Sequence, residues 1–139
     1  MGLFSKLFRE TSTPKTGPAV ALVVGRRILI VDPSITIQKV IELTLPGATI
    51  VAAKDAKEAD VALRTGPFDL VITAVTLSDR SGYDLCSTVK SSGTTPVILL
   101  TGTFEAFDDN RAKQCGADSI LTKPFESSAL ASEINRLLR

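Results

Sequence analysis

From Arg27 onward the chain alternates short aliphatic runs with segments whose apolar residues recur at helical spacing. The first run is "ILIV" at 28–31, followed by "SITIQKVIELTL", in which Ile37, Val40, Ile41 and Leu45 share a face. Then come the strand "ATIVAA", the helix "AKEADVALRTG" with Gly66 at its end, the strand "DLVITAV", and the helix "GYDLCSTVKSSG" closed by Gly93. The strand "PVILLTG", the helix "EAFDDNRAKQCG" ending at Gly116, the strand "SILT" and the helix "ESSALASEINRLLR" complete the series. The pattern predicts five strands alternating with five helices. Nearly continuous aliphatic strands are buried on both faces, which predicts a parallel sheet. Right-handed crossovers then place helices on both sides, giving an α/β three-layer sandwich.

Two stretches before Arg27 fall outside this alternation. "AVALVV" at 19–24 reads as an extra strand or as an apolar arm packed on the domain. Further upstream, Leu3, Phe4, Leu7 and Phe8 lie at i, i+1, i+4, i+5, one apolar side of a helix, with Lys6, Arg9 and Glu10 elsewhere. Ten residues are too few for a helix to stand alone in water. "TSTPKTGP" consists of turn formers and reads as a linker. The expected organisation is a flexible amphipathic tail and linker over 1–18 and a folded domain over 19–139. The tail is expected to dock on a protein partner or a neighbouring copy. Its two clear cations favour a protein over a membrane surface.

Composition narrows the functions. The chain has 139 residues, a net charge of +1 and no histidine. One domain of this size buries a substantial core. The absence of histidine removes the commonest general base and metal ligand. Balanced charge and few aromatics argue against nucleic-acid coating or base stacking, so no nucleic-acid partner is expected. Cys86 and Cys115 form no CxxC and read as buried thiols. No run reaches the ~20 apolar residues that span a bilayer. The N-terminus lacks a cleavage site, and Lys6 stands where myristoylation requires Ser or Thr. A cytoplasmic location is expected.

In an open parallel sheet, ligands bind beyond the carboxyl ends of the strands. There the first strand delivers Asp32 and Pro33, and the third Ala74, Val75 and Thr76. The fourth delivers Thr101 and Gly102, and the fifth Lys123, Pro124 and Phe125. An acid, hydroxyls and a lysine at one end suit a phosphoryl group. Ala74, in the middle of this set, has a methyl group and no oxygen. Asp69 lies at the opposite end of its strand, and Asp79 lies in the following loop, so neither replaces it.

"ILIVDPS", "DLVITAVTLSDRSGYDL", "PVILLTG" and "LTKPF" resemble the receiver domain of two-component response regulators over roughly 27–138. The resemblance implies the flavodoxin-like (βα)5 fold, sheet order 2-1-3-4-5, and a Lys123-Pro124 bond that is cis in many relatives. It implies phosphoryl transfer from a histidine kinase to an aspartate, with a divalent cation held by acids. The departures are pointed. The phosphoacceptor falls on Ala74, and the second acid of the metal site falls on Pro33. The loop proline falls on Ser78, and the switch aromatic on Ile120. An acyl phosphate needs a carboxylate nucleophile, and Mg²⁺ needs oxygen ligands with at least one or two carboxylates. Asp32, Pro33, Ala74, Thr76, Thr101 and Lys123 are therefore read as the remnant of a phosphorylation pocket.

The resulting expectation is a pseudo-receiver that is not an enzyme, has no catalytic residue, and needs no metal or cofactor. It would act as an adaptor or localisation module in bacterial signalling or motility, with no output domain after residue 139. In the resembling family the α4–β5–α5 face binds partners or a second copy. Phe104 and Phe107, read at the start of the fourth helix, and Ile120 mark that face here. The alternative is a phosphoacceptor receiver, Mg²⁺-dependent and aspartyl-phosphate-forming, in which an Asp-to-Ala change at Ala74 has removed the acceptor. That change explains Ala74 but not Pro33 or Ile120.

Overall fold

The aliphatic runs form strands and the amphipathic segments form helices in the computed structural model, which describes residues 23–139. The strands are β1 (Arg27–Val31), β2 (Thr49–Ala53), β3 (Leu70–Ala74), β4 (Val97–Gly102) and β5 (Ser119–Lys123). The helices are α1 (Ile35–Leu43), α2 (Ala56–Leu63), α3 (Gly82–Ser91), α4 (Asp109–Cys115) and α5 (Ser127–Leu138). All strand pairs are parallel, and the sheet order is β2-β1-β3-β4-β5. This is the expected flavodoxin-like architecture.

Alternation along the central strands divides the core in two. Leu29, Val31, Val71, Val97 and Leu99 face α2, α3 and α4, where Ala59, Leu85, Cys86 and Ala112 meet them. Ile28, Ile30, Leu70, Ile72, Ile98 and Leu100 face α1 and α5, where Ile41, Leu130 and Ile134 meet them. Every residue of β3 is buried, as a strand covered on both faces requires. Val23 joins the second cluster, so the apolar run before Arg27 anchors on the α1/α5 side. The tail over 1–18, with Leu3, Phe4, Leu7 and Phe8, and residues 19–22 of that run lie outside the described residues.

Side-chain caps set the helix starts. Ser34, Asp55, Ser81 and Asp108 each accept a hydrogen bond from the amide three residues ahead. The cap at Asp108 corrects one boundary. The segment "EAFDDNRAKQCG" predicts a helix from Glu105, yet α4 begins at Asp109. Both phenylalanines therefore lie in the β4–α4 loop. Gly116 ends α4 with φ +83°, a conformation that favours glycine.

Candidate functional site

The carboxyl ends of the strands bring the expected site residues to one edge of the sheet. Asp32 follows β1, held by its own amide, which donates to the Ala53 carbonyl at 3.0 Å. Its side chain is fully buried. Oδ1 accepts from the Ser34 amide at 2.9 Å, and Oδ2 accepts from Lys123 Nζ at 3.1 Å. Asp32 thus both caps its turn and pairs with the lysine. Lys123 closes β5 in register with Gly102. Its carbonyl accepts from Thr103 Oγ1 at 2.6 Å, and the bond to Pro124 is cis as expected.

Ala74 ends β3 as a buried methyl, paired in register with Leu100. Thr101 is buried one residue beyond Leu100, and its hydroxyl finds no hydrogen-bond partner among the described residues. Thr76 is exposed, and its hydroxyl donates to Glu105 Oε1 at 3.0 Å. Pro33 is exposed and offers no oxygen from its side chain. Gly82 starts α3 directly against the end of β3. A Cβ at that position would lie 2.1 Å from the Ala74 carbonyl oxygen, so no other residue fits without moving backbone.

Three further residues hold this edge together. Gln38 Nε2 donates to the Asp32 carbonyl at 2.8 Å, tying α1 to the end of β1. Asp79, in the β3–α3 loop, accepts from the amides of Ala56 and Lys57 at 3.0 and 2.9 Å. These donors, led by Ala56, hold the Asp79 carboxyl below its ordinary range. Glu105 reaches from the β4–α4 loop to Thr76 and lies over Gly102, where an added Cβ would meet its Oε2 at 2.7 Å. The sequence carries no short-range signal for Asp79 or Glu105, because each partner lies 22 to 29 residues away.

The donor set does not suit a magnesium ion. Asp32 offers the one carboxylate at the end of β1, and it is already engaged by Lys123 and Ser34. Pro33 and Ala74 add no carboxylate, whereas Mg²⁺ uses one or two with near-octahedral oxygen geometry. Among the described residues, no group of three or more His, Cys, Asp or Glu is arranged to hold a metal. Nor does Ala74 supply a nucleophile.

The remaining candidates separate. Phe107 packs on Tyr83, with ring centroids 5.9 Å apart, and borders the first core cluster. Phe104 and Ile120 are exposed. Cys86 and Cys115 are free buried thiols, and Cys86 Sγ donates to the Cys115 carbonyl at 3.3 Å. Burial pushes the Cys86 thiol far above its usual range. A cavity of about 830 Å³ opens between α2 and α3, lined by Asp60, Leu63, Phe68, Arg80 and Thr95 among others. It is distinct from the edge that holds Asp32 and Lys123. No helix among the described residues is long and apolar enough to cross a membrane.

A family model described as the response regulator receiver domain matches residues 28–135. The chain is similar to the probable transcriptional regulator ycf27 of Cyanophora paradoxa, with 31% identity over 116 residues, covering 82% of this chain and 48% of that protein. It is similar to the response regulator ArlR of Staphylococcus epidermidis, with 31% identity over 114 residues, covering 81% and 52%. The chain spans about half the length of these curated relatives. Among solved structures, the chemotaxis response regulator CheY4 of Vibrio cholerae matches with a TM-score of 0.74 and 27% identity, covering 82% of this chain and 99% of that one. The name of the first relative leaves the expected absence of a nucleic-acid partner without support.

Proposed function

The chain belongs to the response regulator receiver domain family, and we propose that it works there without phosphoryl transfer, as a pseudo-receiver that binds proteins. One observation carries this reading. Buried Asp32 pairs with half-buried Lys123 at the sheet end where Ala74 presents a methyl group, and a phosphoacceptor there would need a carboxylate. A lysine left to stabilise a phosphoryl group would need its charge available. Here that charge is taken up by the remaining acid. The pocket residues Asp32, Pro33, Ala74, Thr76, Thr101 and Lys123 are then structural, and the output lies on the surface. Exposed Phe104 and Ile120 support a protein contact on the β5 side, with a partner or with a second copy.

Magnesium titration followed by amide NMR tests the reading. The wild-type chain and Ala74→Asp should show no saturable response around residues 32, 74 and 76. Pro33→Asp combined with Ala74→Asp should gain one, because two carboxylates join Asp32 at the edge. Tight saturable binding by the wild-type chain would contradict the proposal. The second reading, an active receiver whose aspartate has been changed to Ala74, predicts that Ala74→Asp alone recovers both the magnesium response and labelling by a phosphodonor. It also predicts an aspartate at codon 74 of the native gene.

A further inference from the structure

The outer side of a helix that packs on a sheet is ordinarily polar. On α1 it is not. Ile35 is 62% exposed, Val40 38% and Leu43 82%, within about 140° of arc at roughly 100° per residue. Val24, 59% exposed, lies at the same end as Leu43. There the Gly25 amide donates to the Gly47 carbonyl at 2.9 Å, and a Cβ on Gly47 would touch the Val24 side chain at 2.9 Å. Seven large apolar residues are exposed among the described residues, and four of them gather here. The other three, Val61, Phe104 and Ile120, belong to three different segments. A concentration of exposed apolar side chains on one helix, even interleaved with Thr36 and Lys39, suits a contact.

The position of the chain's entry points to the occupant. Val23 is buried in the cluster that includes Ile41 and Leu45, and Gly25 bonds Gly47 just past the carboxyl end of α1, so the chain upstream enters at that end. Upstream lies a segment whose apolar residues, Leu3, Phe4, Leu7 and Phe8, recur at i, i+1, i+4, i+5 spacing. Residues 9–22 separate it from Val23. Such a linker spans at most about 50 Å, and about 20 Å on average as a coil. The nine residues of α1 extend only about 14 Å, so the whole face is within reach. Tethering at that distance gives an effective concentration in the millimolar range. Even a weak contact is then populated in the isolated chain, whereas a second copy or a separate protein would have to compete with it.

We propose that the outer face of α1, formed by Val24, Ile35, Val40 and Leu43, is a docking surface for residues 3–8 of the same chain. A partner that binds either element must first displace the other.

Paramagnetic broadening tests it in the full chain. A nitroxide is placed on Ser5→Cys, the native cysteines being buried. Amide signals of residues 39–44 should lose intensity relative to the reduced label. They should regain it in Leu43→Glu and in Val40→Lys, exposed substitutions that leave the core intact. A mixture of labelled unenriched protein and unlabelled ¹⁵N protein should show no loss. Broadening absent from α1 would overturn the proposal, as would broadening centred on Phe104 and Ile120. Broadening of α1 in the mixed sample would assign the surface to a second copy and equally overturn it.

Discussion

Asp32 is fully buried, and both of its carboxylate oxygens are engaged, one by the Ser34 amide and one by Lys123. In such a pair desolvation offsets much of the attraction. Removing one partner is costly, since it leaves the other charge buried alone. Lys123→Met should therefore lower stability by about 3–5 kcal/mol in chemical denaturation. Removing both charges, with Asp32→Asn added, should restore part of that loss. A Lys123→Met variant as stable as wild type would show that the pair is dispensable. Ala74→Asp places a second carboxylate in a buried position beside one lysine already in use, and should destabilise the fold as well. Cys86 should resist alkylation in the native protein up to alkaline pH, since burial keeps it protonated, and should react on unfolding. Rapid native labelling of Cys86 would contradict its burial. At this scale the sequence was partly legible. Asp32, Thr101 and Lys123 stand at strand ends, where position alone marks them. Glu105 and Asp79 were not legible, because each works through a partner brought near only by the folded sheet.

Carboxylates join elements at both ends of the sheet, Asp79 from a loop and Glu133 from within α5. Asp79 caps the start of α2 from the β3–α3 loop, and Glu133 accepts from Ser119 and Arg136 to fasten α5 to β5. Both carboxyls lie below their ordinary values of 3.8 and 4.5. A depressed folded pKa gives stability that is fully present above the unfolded value and is lost as pH falls through the folded one. Their contribution should hold at neutral pH and fade below about pH 4. Asp79→Asn should lower the melting temperature at pH 7 and change it little at pH 2.5. An equal loss at both pH values would mean that the charge on Asp79 plays no part. Gly82 joins α3 to β3 by close approach, and Gly82→Ala should cost about 3 kcal/mol or more, because the contact is with backbone. The boundary of α4 shows where reading by period fails. Phe104 and Phe107 have helical spacing, but Asp108 is a strong cap, and its bond to the Arg111 amide starts the helix after both of them. The apolar period there reflects Phe107 packing on Tyr83 from a loop.

For the molecule as a whole, the fold was legible because each strand is an unbroken aliphatic run and each helix has a stripe. Two sheet faces and two helical layers then leave little choice of architecture. Strand order was not legible from periodicity and came from the family resemblance, since order depends on which crossover each loop takes. The apolar surface on α1 was hidden for a related reason. Val40 read as part of the inward stripe with Ile37, Ile41 and Leu45, whereas it is exposed, and Ile35 and Leu43 were not read into any face; the burial of Ile41 shows which side of α1 faces inward. On the proposed reading, a receiver fold has been kept while its phosphoryl chemistry has been lost. Intact-mass spectrometry of the full chain, after incubation with acetyl phosphate and Mg²⁺, tests it most directly. The account predicts an unchanged mass. A stoichiometric gain of one phosphoryl group that hydroxylamine removes would contradict it.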